Sequence, residues 1–374
     1  MKHELSNEQL LMQDSIQNLI ASKFVDKTLS FDDKWKIIAS TDIIKIAVDK
    51  EKGGLGLGAF DLLLALESLS TASNDNGLNF AIAAHTLACV IPIAKYGSEF
   101  QINTFIPSLM NGTHICANAM TESESGSTVY ELQTKATELD ENTFRINGTK
   151  IFITNGAVAD YILSYAETAP GKGFFGGISA FILDKNNFTC IQNFDKMGLE
   201  SASLSEIFID NKTISHQSLL GKKGAGGVIF NESMEWERTC IAGLHIGAME
   251  RVMKQVIDFA KTRKSGSQSI SKNQAISHAI VDMQVMIDTS RSIAYSTARM
   301  IDKKLNASRE SSTTKLYVSE CVKKFMLQAQ SIFGAYGYIK EYGIEKEVRD
   351  ALASSIYSGT NEIQKNIIAS NLGL

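Results

Sequence analysis

The stretch Phe144-Arg-Ile-Asn147-Gly148-Thr-Lys-Ile-Phe-Ile153 sets an Asn-Gly pair between two β-prone runs. Asn-Gly readily adopts the positive φ angles of a tight turn, so this spacing predicts a β-hairpin. Further strands are expected at 179–183 and 206–209, with a turn-rich stretch between them. On either side the pattern changes to helix. Ser6 and Gln9 form an S-x-x-Q capping box, and Met12, Ile16, Leu19 and Ile20 follow at helical spacing. Residues 61–69 and 80–90 read as apolar, buried helices. Beyond Gly226, the residues Met249, Val252, Met253, Val256, Ile257 and Ala260 form one apolar stripe. Later helices are expected over 271–304, 312–332 and 361–370. No proline follows Pro170, which leaves long helices unbroken. Helices, then strands, then helices is a segregated order. It predicts an α+β fold, mainly α, and not alternating βαβ units. The domains expected are a helical one over 1–114, a β domain over 115–225 and a helical one over 226–374.

Composition narrows the function. The net charge is −4, which gives no basic footprint for nucleic acid. The five cysteines (Cys89, Cys116, Cys190, Cys240, Cys321) are scattered, with no CxxC pair and no zinc-spaced cluster. They read as free thiols in a reducing compartment. The N-terminus shows no apolar leader, and no run approaches the roughly 20 apolar residues of a membrane span. A soluble, cytoplasmic protein without metal, membrane or nucleic-acid partners is the expectation.

Two glycine-rich stretches could mislead. Gly54-Leu-Gly56-Leu-Gly58-Ala59 matches G-x-G-x-x-[GA], but residues 49–53 separate it from the apolar run 43–48. A dinucleotide fingerprint needs its turn directly after the strand, so an interhelical loop is expected instead. Gly221-Lys-Lys-Gly224-Ala-Gly226-Gly227 lacks the Gly-Lys-[Ser/Thr] ending of a P-loop.

The C-terminal quarter carries a family resemblance. Ser331-Ile-Phe-Gly334-Ala-Tyr-Gly337-Tyr338, Glu347-Val-Arg349-Asp350-Ala and Ile356-Tyr357-Ser358-Gly359-Thr360-Asn-Glu-Ile363-Gln364 resemble the acyl-CoA dehydrogenase family. Ala119-Met-Thr121-Glu122 through Ser127, Asn147-Gly148 through Gly156, and Trp236-Glu237-Arg238 agree in order and spacing. The resemblance implies an N-terminal helical domain, a middle β-barrel domain and a C-terminal four-helix bundle. It also implies a homotetramer holding FAD. By position, the backbone of Ala119, Met120 and Thr121 would face the flavin, with Phe152 beside the ring and Thr154 near N5. Ser127 would contact the pyrophosphate or the thioester arm. Arg263, Gln274, Gly334 and Gly337 would grip the adenosine diphosphate half across a subunit interface, where a guanidinium suits phosphate. Thr360 and Glu362 would complete the flavin contacts.

The family's usual base is absent. Many members carry it in Tyr-Glu-Gly-Thr, and the corresponding segment here is Tyr357-Ser358-Gly359-Thr360. One branch, including isovaleryl- and long-chain enzymes, places it just before an arginine on another helix, and Glu237-Arg238 matches that position. Glu235 points roughly 200° away around the same helix. The resemblance thus implies that Glu237 takes the α-proton of an acyl thioester while hydride passes to the flavin. The backbone N–H of Ser358 would polarise the carbonyl, and Arg238, Tyr357 and Gly359 would line the substrate. Burial should raise the glutamate's proton affinity towards working pH. His85, His114 and His245 receive no catalytic role.

The substrate is less directly marked. Thr121-Glu-Ser-Glu-Ser-Gly-Ser127-Thr lacks the proline and final aspartate common in the family, and Gly266 stands where many members have an aromatic. Met234-Glu-Trp236-Glu237-Arg238-Thr-Cys240 resembles the prolyl-carrier-protein branch. That resemblance implies a small group such as prolyl on the phosphopantetheine arm of an acyl or peptidyl carrier protein. Lys261, Arg263, Lys264 and Lys272, or Lys222 and Lys223, are candidates to receive the acidic carrier. A short- or branched-chain acyl-CoA dehydrogenase and a non-catalytic flavin-binding subunit are the alternative readings.

Overall fold

The computed structural model describes residues 5–128 and 131–374. The N-terminal part comprises α1 (Asn7–Lys23), α2 (Phe31–Ala39), α3 (Ala59–Ala72), α4 (Asn76–His85), α5 (Ile91–Tyr96) and α6 (Glu99–Met110). Capping boxes at Ser6/Gln9, Ser30/Asp33 and Ser98/Gln101 begin α1, α2 and α6. A π turn joins α4 to α5, so Asn76–Tyr96 is one continuous helical segment. It is long and apolar enough to cross a membrane, contrary to the expectation from the sequence. However, 94% of its most apolar window is buried, which makes it a core helix.

The expected interhelical loop is present at Gly54–Ala59, leading into α3. The Asp302 carboxylate accepts from the backbone N–H of Ala59 (2.6 Å) and of Phe60 (3.2 Å), capping α3 from the far end of the chain. Gly58 is glycine for that reason, since a Cβ there would lie 2.2 Å from Asp302 Oδ1.

The middle part is a mixed sheet of β1 (Cys116–Ala119), β2 (Lys135–Asp140), β3 (Thr143–Thr154), β4 (Tyr161–Glu167), β5 (Ile178–Asp184), β6 (Thr189–Asn193), β7 (Leu204–Ser215) and β8 (Leu219–Leu220). A single turn, α7 (Phe174–Gly177), precedes β5. The strand order is β6-β7-β3-β2-β4-β5-β8, with β1 added parallel to β4. One face of these strands encloses a small core of its own, built on Phe144, Ile146, Ile162, Phe181, Ile207 and Ile209. The predicted hairpin is not there. Residues 143–154 form one continuous strand paired with β7, and Asn147-Gly148 sits at a register shift within it. Asn147 Oδ1 accepts from the Asn211 N–H, so the pair makes a bulge and not a reversal. Long pairing with a distant strand has overridden a local turn preference.

The C-terminal part comprises α8 (Gly226–Cys240), α9 (Ala242–Thr262), α10 (Gln274–Asp302), α11 (Ser308–Phe333), α12 (Ile344–Leu352) and α13 (Asn361–Asn371). A two-stranded ribbon, β9 (Lys264–Ser265) with β10 (Gln268–Ser269), links α9 to α10. Helices α9, α10 and α11 pack on one another and α13 closes on α11, making the bundle. α3 lies against α9, so the N-terminal helices and the bundle share one large core. The sequence reading placed no element at α2, α5, α6, α7 or α12, nor at strands β1, β2, β4, β6, β8, β9 and β10, most of which are short.

Candidate active site

The β side of the site is built around Lys150 and Phe152, both on β3. Lys150 is fully buried, and its ammonium donates to Glu122 Oε1 (2.7 Å) and to the Met120 carbonyl (3.1 Å). Glu122 also accepts from the N–H of Thr134 at 3.0 Å. Burial lowers the Lys150 pKa to about 8, with Glu122 opposing the shift. Burial pushes Glu122 upward, but Lys150 and the hydrogen bonds outweigh it and hold it below its ordinary value. Both groups are therefore charged at neutral pH, and they staple the Met120–Glu122 segment to β3. The Ile151 N–H donates to the Thr121 carbonyl at 2.9 Å.

The next residue breaks the ladder. The β3–β7 register shifts again between Lys150 and Ile153, and Phe152 takes a φ of 57°. Bulges re-aim side chains. Phe152 is 56% exposed and meets the Phe194 ring at 5.4 Å between centroids. Thr154 ends β3, and Ala119, buried, ends β1. Ser127 is exposed on the turn after Ser125.

The helical side meets it at α4. Asn155, just past β3, donates to the Ala81 carbonyl at 2.9 Å. The adjacent Phe80 packs on Tyr357 with ring centroids 4.4 Å apart. Tyr357 OH lies 2.9 Å from His245 Nε2, and burial lowers the His245 pKa to about 4, so the ring is neutral. Phe80, Tyr357, His245, Leu244 and Ala248 help to line a cavity of about 30 Å³, room for about one water.

Glu237 lies on α8 and is only 7% exposed. The Ser358 hydroxyl donates to its Oε1. Burial raises the Glu237 pKa, opposed by that hydrogen bond and by Arg238 and Lys315. Arg238 turns its Nε to the Ser358 carbonyl at 3.2 Å. Gly359 (φ 85°) and Thr360, the N-cap of α13, follow directly, and Glu362 is exposed in the first turn of that helix. Glu237, Arg238, Tyr357, Ser358 and Gly359 are thus brought together. Glu235 has the Asn231 amide as its hydrogen-bond neighbour, at 3.5 Å.

Arg263, Gly334 and Gly337 form a second cluster at the other end of α9, a 21-residue helix about 30 Å long. The Arg263 guanidinium stacks over Tyr336 at 5.1 Å. Gly334 has a φ of 58°, and Gly337 is buried against Gln330. Gln274 is exposed at the start of α10.

Several residues at the site were not singled out from the sequence. His245, named only to be set aside, is one; it lies on α9, beyond the end of the helix that carries Glu237. Phe80 is another. Lys315, buried on α11, donates to Asn361 Oδ1 at 2.9 Å, and burial lowers its pKa to about 7. Its signal was a lysine among Ser311, Ser312, Val318 and Ser319, with no acid three or four residues away.

Three family models match the chain: the acyl-CoA dehydrogenase N-terminal domain over 6–113, the middle domain over 117–212 and the C-terminal domain over 224–373. The chain belongs to the acyl-CoA dehydrogenase family. Within it, the chain is 35% identical to an L-prolyl-[peptidyl-carrier protein] dehydrogenase of Serratia sp. (strain ATCC 39006), covering 98% of this chain and 93% of the relative. It superposes on PigA solved with FAD and proline with a TM-score of 0.94 and 34% identity, covering 100% of both chains. The prolyl acyl carrier protein oxidase AnaB gives a TM-score of 0.96 and 33% identity, over 99% of this chain and 100% of that one.

Proposed function

We propose that this protein is an FAD-dependent oxidoreductase that removes two electrons from a small aminoacyl thioester, prolyl above all, tethered to an acyl or peptidyl carrier protein. The observation that carries the reading is the buried Glu237 carboxyl, held against the Ser358 turn with its proton affinity raised by burial. The likeness to the Serratia relative, PigA and AnaB supports the choice of substrate.

The residues present fit FAD at both ends. Phe152, turned outward by its bulge, offers a flat apolar surface to an isoalloxazine. We assign the backbone of Ala119, Met120 and Thr121, with Thr154, to the same end. Arg263 offers a planar cation to phosphate, and the space a Cβ would take at Gly334 is open. Gln274, Gly337, Ser127, Thr360 and Glu362 complete the set. When bound, FAD supplies the acceptor for two electrons as hydride.

Glu237 then takes the α-proton, its raised pKa bringing it closer to working pH. The Ser358 N–H donates to the thioester carbonyl as negative charge develops there. One turnover on a prolyl group gives a pyrroline, and two give a pyrrole. For carrier docking we favour Lys261, Lys264 and Lys272, since Arg263 is assigned to the cofactor. Lys223 is already paired with Glu138. A cytoplasmic homotetramer completes the reading.

The test is anaerobic mixing of purified protein with prolyl-loaded carrier protein. Bleaching of the flavin is expected, with none from butyryl-, isovaleryl- or isobutyryl-CoA. The reverse pattern would reject the carrier assignment. Glu237→Gln should slow bleaching by roughly a hundredfold or more, and a wild-type rate in that variant would remove Glu237 as the base.

A further inference from the structure

Ser358 occupies an unusual backbone state for a serine. Its φ is 56° and that of Gly359 is 85°, a left-handed pair leading into α13. L side chains rarely adopt such angles, and they persist where surrounding contacts enforce them. Those contacts come from two sides. Arg238 on α8 donates to the Ser358 carbonyl at 3.2 Å. Gln364 on α13 donates to the same oxygen at 3.2 Å and to the Gly359 carbonyl at 2.9 Å. The first residue of α13, Asn361, is fixed in turn from α11 by Lys315 at 2.9 Å and Ser319 at 3.0 Å. With the turn so held, the Ser358 hydroxyl is directed at Glu237 Oε1. Among the described residues no other side chain is hydrogen-bonded to that carboxylate.

We propose that the Ser358 side chain is a positioning residue for the base: its hydroxyl occupies one oxygen of the Glu237 carboxylate and leaves the other to accept the substrate's α-proton. This goes beyond the backbone role given to Ser358 above and rests on Glu237 being the base. The geometry has a chemical purpose. A carboxylate on a helix can swing about its side-chain torsions, and proton abstraction from carbon requires close alignment of acceptor and C–H. A donor fixed by a clamped turn restricts that swing. It also favours the ionised form, since a hydroxyl donates to a carboxylate and loses that bond when the proton arrives. The titratable or charged groups facing Glu237 are Arg238 on its own helix, Lys315 on α11, Tyr357 beside Ser358, Cys89 in the π turn and Tyr165 on β4.

The experiment compares Ser358→Ala with Ser358→Gly in the FAD-loaded enzyme. Both delete the hydroxyl, but only glycine also relaxes the left-handed backbone. The measurement is the pH profile of flavin bleaching in a single turnover, with prolyl-loaded carrier protein or isovaleryl-CoA, whichever bleaches the wild type. FAD content and the substrate concentration at half-saturation are recorded alongside. Both variants should bleach about tenfold more slowly at neutral pH and move the acid limb to higher pH. FAD content and half-saturation should be unchanged. Wild-type rates and limbs in both variants would overturn the proposal. So would a wild-type Ser358→Gly beside an impaired Ser358→Ala, which would mean that only the backbone matters. Ser358→Cys, which keeps a weak donor, should fall between, and it serves if either other variant fails to bind FAD. Glu237→Gln in the same assay keeps the two ideas apart: a wild-type rate there ends the base assignment, whatever Ser358 does.

Discussion

Glu237 and Lys315 face the same turn, yet they depend on pH in opposite senses. Burial raises the Glu237 pKa above its ordinary 4.5. The folded state therefore holds that proton more tightly than the unfolded chain. Its contribution to stability is complete below 4.5 and is lost as pH rises through the folded value. Burial lowers Lys315 from 10.5 to about 7. Its contribution is complete above 10.5 and is lost as pH falls through about 7. Two neutral substitutions should reveal this. Relative to wild type, Glu237→Gln should gain melting temperature as pH rises from 4.5. Lys315→Met should gain as pH falls from 10.5 towards about 7. Parallel curves for wild type and variant would show that the group is not buried as described. The identity of these two residues was open to sequence reading in unequal degree. Glu237 stood out because Ser358 had lost a carboxylate. Lys315 was passed over, because its partner Asn361 is 46 residues away.

At the scale of elements, local signals worked where the partner is local. The Ser6/Gln9 box needs only three residues of separation, and it caps α1 as expected. The cap of α3 carries no such signal, because its carboxylate, Asp302, is 243 residues from Ala59. Asp302→Ala should lower stability by about 1 kcal/mol, read as a shift in urea midpoint. FAD content should stay at the wild-type level. An unchanged midpoint would mean that water replaces the cap at no cost. The Asn-Gly pair in β3 shows the opposite failure. A dipeptide that closes hairpins in isolation became a bulge because β7 pairs along the whole length of the strand. The second bulge, at Phe152, has no sequence signal of its own, yet it places the ring at the site.

For the whole molecule, the bundle surface carries exposed apolar groups that a lone chain leaves wet. Tyr338 is 80% exposed, and Val281 and Val285 on α10 are 60% and 53% exposed. These support the tetramer proposed above. Sedimentation should give a mass four times that of the 40.9 kDa chain, and a monomer at working concentration would reject it. Docking of an acidic carrier should weaken with salt. Charge reversal at Lys261, Lys264 and Lys272 together should raise the carrier concentration needed for half-maximal rate. The rate with a free prolyl-pantetheine thioester should not change.

Segregated helical and β blocks, local caps and the occurrence of a glutamate at 237 together with a serine where the family's usual carboxylate stands were all written in the order of residues, because each depends on near neighbours or on residue type at a fixed position. Packing alone decided that the Ser358 hydroxyl meets a carboxylate 121 residues away, that Asp302 caps α3, and that Phe80 and Tyr357 close on a small cavity. These contacts join segments whose separation in the chain carries no pattern, and they exist only once the shared core has fixed the helices against one another.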